Sequence, residues 1–212
     1  MLGFTNVTYS GTGVTVSSSV PDRIPGAILT KAADIHGRPI AYILVGGSAN
    51  AVNEGDTTRV DVNLLQTTSN YRMVETGMAY CFVYTSTPLE HRQELRNAAR
   101  QARQANQGVY RLDTTSSFLL HSQNDIGPSG QLILPKLFRR STDYLKALAK
   151  GFDGTLPEWM QATSGENDRV VVFEEQIPFH DQVEVTFSDL VRQVNDEIFV
   201  QTDILNMTFV EK

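Results

Sequence analysis

Residues 33–44 constrain the fold of this chain more than any other stretch, because they combine a tight turn with the start of a strand. Asp34 can begin a turn by accepting a hydrogen bond from the backbone two residues later, and Gly37 supplies a backbone conformation that other residues adopt reluctantly. Pro39 has no backbone N–H and keeps the chain extended, and the apolar run that follows has the length of a buried strand. Arg38 is therefore predicted at the mouth of a strand, held between Gly37 and Pro39.

The position of Arg38 allows two interpretations. A fixed guanidinium can bind a phosphate through two parallel hydrogen bonds, and it keeps its charge near neutral pH. An arginine at a turn can equally pair with a carboxylate on the surface of its own protein. The turn taken alone favours this second interpretation, so the choice depends on the rest of the sequence.

Composition excludes several kinds of protein. The chain has 212 residues, of which 41% are hydrophobic and 20% charged, as is typical of a folded protein with a core. Its net charge of −6 argues against broad electrostatic attachment to nucleic acid but leaves room for a local basic site. Cys81 is the only cysteine, so no internal disulfide can form, and its apolar surroundings predict a small buried residue rather than a nucleophile. No apolar run of about 18 residues predicts a membrane span, and the N-terminus has no signal-peptide pattern.

The predicted elements are those of an α+β protein. Alternating apolar residues predict strands within residues 1–32, before the strand that follows Pro39. Capping and stop residues predict helices from Ser69 to Gly77, from Thr87 to Gly108, over 137–148 and around Trp159. Residues 113–134 have the composition of a linker. Three short strands are predicted at Val170–Phe173, Val183–Phe187 and Ile198–Thr202.

The helix that begins near Thr87 carries two distinct faces. Its apolar face consists of Leu95, Ala98, Ala99, Ala102 and Ala105, and small side chains there favour close packing against a flat partner. Its basic face consists of Arg92, Arg96, Arg100 and Arg103. We predict that this basic face is solvated helix surface.

Several of these segments, taken in order, match one family. They are Asp34-Ile-His-Gly37-Arg38-Pro-Ile-Ala-Tyr42, then Asn70-Tyr-Arg-Met-Val74-Glu-Thr-Gly77-Met-Ala79, then Phe82-Val-Tyr84, then a helix with Leu95, Ala98 and Ala102 that ends at Gly108-Val-Tyr110. Their order and spacing resemble the second half of the staphylococcal-nuclease-like (thermonuclease) family. The motifs lie within residues 34–110.

The resemblance implies a fold and an activity. The fold is a partial OB-fold barrel with helices in residues 1–112, followed by a smaller α+β C-terminal extension in residues 113–212. The activity is calcium-dependent hydrolysis of DNA or RNA phosphodiesters. Arg38 falls on a catalytic arginine that neutralises phosphoryl oxygens, and Tyr84 falls on a tyrosine that lines the nucleotide pocket. His36 stands where the family often has a tyrosine, and it is the second candidate for substrate binding.

The sequence also departs from the family pattern. The family's Asp-Gly-Asp-Thr turn, its first arginine and its Asp…Glu segment are not recognisable here, so no residue is assigned to the metal. Calcium is therefore implied by the resemblance alone. We expect a fragment of a nuclease that is inactive as it stands. The alternative is a complete but degenerate relative, a non-catalytic module that binds nucleic acid or a protein partner.

Other candidate sites are weaker. His180 and Asp181 invite a catalytic or metal-binding interpretation, but adjacent residues of a strand point to opposite faces, and a plain surface loop is predicted. His36, His91 and His121 show no metal-ligand spacing with Cys81. No phosphate-binding loop or dinucleotide fingerprint is present.

Overall fold

The structure is a computed structural model that describes residues 3–33, 36–163, 165–173 and 182–211. It confirms a mixed α+β protein. The strands are β1 Thr5–Tyr9, β2 Val16–Val20, β3 Gly26–Ala33, β4 Pro39–Val45, β5 Ser117–Leu119, β6 Arg169–Val172, β7 Glu184–Thr186, β8 Val191–Val194, β9 Glu197–Val200 and β10 Met207–Phe209. The helices are α1 Val62–Thr67, α2 Ser69–Glu75, α3 Leu89–Gln104, α4 Pro135–Leu148 and α5 Leu156–Ala162. The predicted turn residue Asp34 and the pair His180 and Asp181 lie outside the described residues.

The chain divides into two compact units, Met1–Thr76 and Gly77–Lys212. This division differs from the boundary that we predicted after residue 112. In the second unit, α3 bonds to the C-terminal part of the chain. Arg96 donates to the Met207 carbonyl, and Arg103 forms an ion pair with Asp203.

The first unit contains two antiparallel hairpins, β1–β2 and β3–β4. In the second hairpin Ile28 lies opposite Ile43, and Leu29 lies opposite Tyr42. The Asn70 side chain on α2 accepts a hydrogen bond from the Ile43 N–H (2.9 Å) and donates to the Ala41 carbonyl (3.1 Å). A side-chain amide on α2 therefore fixes β4 at its outer edge.

The strand β4 forms where the apolar run predicts it, but most of it is not buried. Leu44 is fully buried, whereas Ile40 and Ile43 are exposed, as is Ile28 across the hairpin. A two-stranded hairpin has two faces and can cover only one of them with a single neighbouring layer. The prediction of a buried strand is therefore wrong for the Ile28 face of this hairpin.

The second unit contains two three-stranded antiparallel sheets, in the orders β10–β6–β7 and β5–β9–β8. Their inner faces and the two helices α4 and α5 enclose one hydrophobic core. The core includes Phe118, Ile126, Leu134, Leu137, Trp159, Met160, Val170, Phe187, Ile198 and Phe209. Residues 113–134 contribute a strand and several of these side chains, so the prediction that they form a linker is wrong.

The helix α3 confirms four residues of its predicted apolar face, because Leu95, Ala98, Ala99 and Ala102 are buried. The fifth, Ala105, is exposed because it lies at the C-cap, where the helix ends. It begins at Leu89, directly after Pro88, which occupies the cap position. At 16 residues it is the longest described helix. None of the described helices combines the length and apolar character that crossing a membrane requires.

Within the described residues the strands form four separate small sheets, and none of them closes into a barrel. A closed barrel needs every strand to pair with two neighbours. The coarse α+β assignment is therefore confirmed, whereas the OB-fold stays a prediction from the resemblance.

Candidate functional site

The turn between β3 and β4 carries two of the predicted site residues. His36 and Arg38 are exposed, and Gly37 between them has a φ of +76°. That φ lies in the left-handed region, which explains why the turn uses glycine. Arg38 directly precedes β4, so it stands at the mouth of a strand as predicted and is accessible from solvent.

Tyr84 lies in the second unit, at the edge of a cluster of three aromatic rings. Its ring centroid is 5.3 Å from that of Phe82 and 6.5 Å from that of Phe209. Phe82 and Phe209 are stacked with their centroids 4.5 Å apart. Tyr84 is 36% exposed, whereas Phe209 is buried. One ring of the cluster therefore reaches solvent while the others hold it in place.

The backbone of Tyr84 is also fixed. The Thr85 N–H donates to the Phe209 carbonyl (2.9 Å), and the Phe209 N–H donates to the Val83 carbonyl (3.1 Å). The Glu211 carboxylate accepts hydrogen bonds from Thr85 and from Ser86. The tyrosine therefore belongs to a short extended segment that lies beside β10.

A buried ion cluster lies next to these rings. The Lys136 Nζ is 4.6 Å from the Phe209 ring centroid, 5.4 Å from that of Phe82 and 5.9 Å from that of Tyr84. It is also 3.0 Å from the Asp168 Oδ1, and the Arg140 Nη2 donates to the Asp168 Oδ2 at 2.8 Å. Both Asp168 and Arg140 are almost fully buried. Asp168 therefore compensates two buried cations, of which Lys136 lies against the aromatic rings and Arg140 also pairs with Glu166.

The surroundings shift the pKa of several groups in this region. Burial lowers the pKa of Lys136, against the opposing effect of Asp168. Burial alone would raise the pKa of Asp168, but hydrogen bonds and charge from Arg140 and Lys136 outweigh it and hold that pKa below its ordinary value. Burial, with the Asp168 charge, raises the pKa of Tyr84. At neutral pH the Tyr84 hydroxyl is therefore protonated. The hydroxyl can donate a hydrogen bond but cannot act as a base, and the ring can stack.

The sequence predictions placed Tyr84 in a site but missed Lys136, Asp168 and Arg140. Lys136 and Arg140 are four residues apart near the start of α4, which is a signal that they share one helix face. Asp168 precedes β6, and nothing in the sequence indicates that it meets that face. The first unit carries Arg38 and His36, and the second carries Tyr84 with this ion cluster.

The basic face of α3 is not solvated surface, and that prediction is wrong. Arg92 and Arg96 are buried, with only 4% and 2% of their surface exposed. Arg100 donates to the Asn206 side chain, and Arg103 forms a bidentate ion pair with Asp203. The segment around Asn206 covers this face, which is a long-range contact that the helix pattern cannot indicate.

Cys81 is buried, as its apolar surroundings predicted. Burial raises the pKa of its thiol to about 11. Because the thiolate is the nucleophilic form, this cysteine is unreactive near neutral pH.

The described residues do not fit the calcium ion that the resemblance implies. Calcium takes several oxygen ligands, mainly from carboxylates. Among the described residues, no three His, Cys, Asp or Glu side chains lie close enough together to hold a metal ion. No step of a reaction through calcium is therefore derived for this chain.

Comparisons with known proteins give no further assignment. No protein-family model matches the chain, and no curated protein or solved structure is significantly similar to it.

Proposed function

We propose that this chain is a nuclease-like module that binds single-stranded nucleic acid without cleaving it. The observation that carries the proposal is the exposed ring of Tyr84. Phe82 and Phe209 hold this ring near the start of α4, where Arg139 is exposed. Proteins that bind single strands combine aromatic rings, on which bases stack, with basic groups that follow the backbone. Arg139, an exposed residue near the start of α4, acts electrostatically on Tyr84 and supplies such a basic group, whereas Lys136 lies against the rings and is already paired with Asp168.

Arg38 supports the same function from the first unit. It is exposed at the mouth of β4, which is the position that the resemblance assigns to a phosphate-binding arginine. The proposal includes the nuclease-like OB-fold, with residues 1–112 contributing to it. Binding is preferred to cleavage because the described residues do not provide the carboxylates that a hydrolytic metal site needs. Calcium-dependent hydrolysis stays a prediction from the resemblance.

The first test is the substitution Tyr84→Ala, with binding measured by the fluorescence anisotropy of a labelled single-stranded oligonucleotide. Loss of one base-stacking contact costs about 1–3 kcal/mol, which weakens binding roughly 5- to 150-fold. Tyr84→Phe keeps the ring, and we expect it to bind like the unmodified chain. Tyr9→Ala removes an exposed tyrosine from the β1–β2 hairpin and serves as the matched control. Equal weakening in Tyr84→Ala and Tyr9→Ala would contradict the proposed role of Tyr84.

The second test is the substitution Arg38→Ala, measured in the same assay at several salt concentrations. Removing one phosphate contact should weaken binding to all sequences alike and reduce the slope of log K against log[salt] by about one. Arg23→Ala is the matched control, because Arg23 is also an exposed arginine of the first unit. An unchanged salt slope in Arg38→Ala would show that this guanidinium does not contact the backbone.

The same samples decide between the candidate functions. Saturable, salt-sensitive binding with an intact oligonucleotide supports the proposed function. Oligonucleotide cleavage that requires calcium and is lost in Arg38→Ala would replace it with the nuclease prediction. If neither single nor double strands bind, the nucleic-acid proposal fails, and a module that binds a protein partner remains.

A further inference from the structure

A second site lies on α3, where one buried guanidinium is only partly satisfied. The Arg96 Nη2 donates to the Met207 carbonyl at 3.1 Å and to the Thr208 hydroxyl. The Phe173 ring centroid lies 5.2 Å from the Arg96 Cζ. The Nε and Nη1 atoms are buried and have no hydrogen-bond partner among the described residues. A buried cationic donor without an acceptor is costly, so this arrangement favours an added anion.

The neighbouring charges increase this preference. Arg92 and Arg100 lie one turn before and one turn after Arg96 on the same face of α3. Both of these charges act against the protonated form of Arg96, whereas the described carboxylates make no large contribution to it. Burial lowers the pKa of Arg96 to about 10, so the side chain is still charged at neutral pH.

Arg96 lines a pocket on the surface of α3. The pocket has a volume of about 290 Å³. Its lining consists of Gln93, Arg96, Asn97, Arg100 and Phe173. These side chains offer two guanidinium groups, two amides and one aromatic ring, and none of the five carries a carboxylate. This set of donors suits an oxyanion, because arginine and amide N–H groups all point donors toward acceptor oxygens.

We propose that this pocket binds a phosphoryl group, with Arg96 as the buried anchor and with Asn97 and Gln93 as donors at its rim. The volume also leaves space for the group to which the phosphate is attached. The phosphate can come from free inorganic phosphate, from a mononucleotide or from a nucleic-acid backbone. The proposal does not depend on Tyr84 or Arg38, so it stands or falls separately from the nucleic-acid function.

The test measures binding of inorganic phosphate to the full chain by isothermal titration calorimetry at constant ionic strength, with chloride as the reference anion. We expect saturable binding of phosphate. Arg96→Lys keeps a positive charge but loses the guanidinium donors, and it should weaken binding about tenfold or more, as expected for a lost charge-assisted hydrogen bond. Asn97 is exposed, so Asn97→Ala leaves the fold intact, and it should weaken binding by a smaller factor. Arg72→Ala, on the exposed side of α2, is the matched control and should bind phosphate normally.

Four further outcomes decide the proposal. If phosphate and chloride give the same heat, or if Arg96→Lys and Asn97→Ala both bind phosphate as well as Arg72→Ala does, the proposal is overturned. Tighter binding of adenosine monophosphate than of inorganic phosphate would support it and identify a phosphate ester as the ligand. Binding of an oligonucleotide that Asn97→Ala weakens and Tyr84→Ala does not would support it and identify a nucleic-acid backbone as the source.

Discussion

Asp168→Asn is expected to lower the free energy of unfolding of the second unit by about 3–5 kcal/mol, because it removes the counter-charge of the buried Lys136 and leaves Arg140 with Glu166 as its acidic partner. Asparagine keeps the size of the side chain, so the change removes charge rather than volume. Urea unfolding followed by tryptophan fluorescence measures the effect. Trp159 is the only tryptophan and lies in the core of this unit, so its signal reports the unit that contains Asp168.

Asp143→Asn is the matched control. Asp143 pairs with Lys146 on the exposed side of α4, and both side chains are substantially exposed. An exposed pair of this kind contributes at most about 1 kcal/mol, so the control should unfold close to the unmodified chain. If both variants unfold alike, the ion cluster around Asp168 does not stabilise the fold.

The effect of Asp168→Asn should depend on pH in a defined direction. The pKa of Asp168 is lower in the folded chain than its ordinary value of 3.8. Its contribution to stability is therefore fully present well above pH 3.8, and it is lost as the pH falls through the lower folded pKa. The difference between the two proteins should shrink in acid, and unfolding measured from neutral pH downward checks this.

Gly108→Ala is expected to lower the free energy of unfolding of the same unit by more than about 3 kcal/mol. Gly108 has a φ of +53°, which alone disfavours alanine. A Cβ at this position would also overlap the Gly77 carbonyl group. The Val109 N–H donates to that same carbonyl at 2.7 Å, so the backbone cannot move apart without losing this bond. An alanine here would therefore meet both an unfavourable φ and a steric overlap with Gly77.

The variant Gly151→Ala separates the effect of the unfavourable φ from the effect of the steric overlap. Gly151 has a φ of +93°, but apart from its chain neighbours no atom of the described residues lies within 4 Å of the position that a Cβ would take. Only the backbone strain then applies, and we expect a loss of about 1–2 kcal/mol. Urea unfolding with the Trp159 signal compares both variants. Similar losses in Gly108→Ala and Gly151→Ala would show that the close approach of Gly77 and Gly108 has little importance.

Local signals predicted four of the five described helices but missed α1, and the cap of α2 is Thr68 rather than the predicted Ser69. In α5, Thr155 caps the first turn and Glu158 completes the capping pair, next to a proline in the first turn. In α3, the alanine face is buried as its spacing indicates. Both signals lie within a few residues, so the sequence contains all of the information that these elements need.

Long-range contacts were not predictable in the same way. The strands β8 and β10 have four and three residues, too few for a clear alternating pattern. Residues 113–134 are rich in Gly, Ser and Thr, yet Phe118 and Ile126 enter the core because β5 pairs with β9. The arginines of α3 are covered by a segment about 110 residues later. A helix pattern identifies a face but not the segment that covers it.

The candidate site shows the same difference between local signals, which the sequence contains, and long-range contacts, which it does not indicate. The turn pattern predicted Arg38 at the mouth of a strand, and it directly precedes β4. Tyr84 was chosen through the resemblance, and its part in a site stays a prediction. The cation beside Tyr84 comes from α4, and its counter-charge comes from Asp168, which lies 32 residues after Lys136. Neither has a sequence signal that connects it with Tyr84. The resemblance could suggest residues in the motif region, but it could not supply those contributed by later parts of the chain.

The amide of Asn70 has a consequence for self-association. It takes the donor and the acceptor that β4 would offer to an incoming strand at Ala41 and Ile43. Exposed strand edges are templates for unwanted pairing between chains, and here a side chain already occupies one of them. Intermolecular sheet growth on this hairpin is therefore directed to the β3 side, and replacing Asn70 with an apolar residue would open a second direction for aggregation.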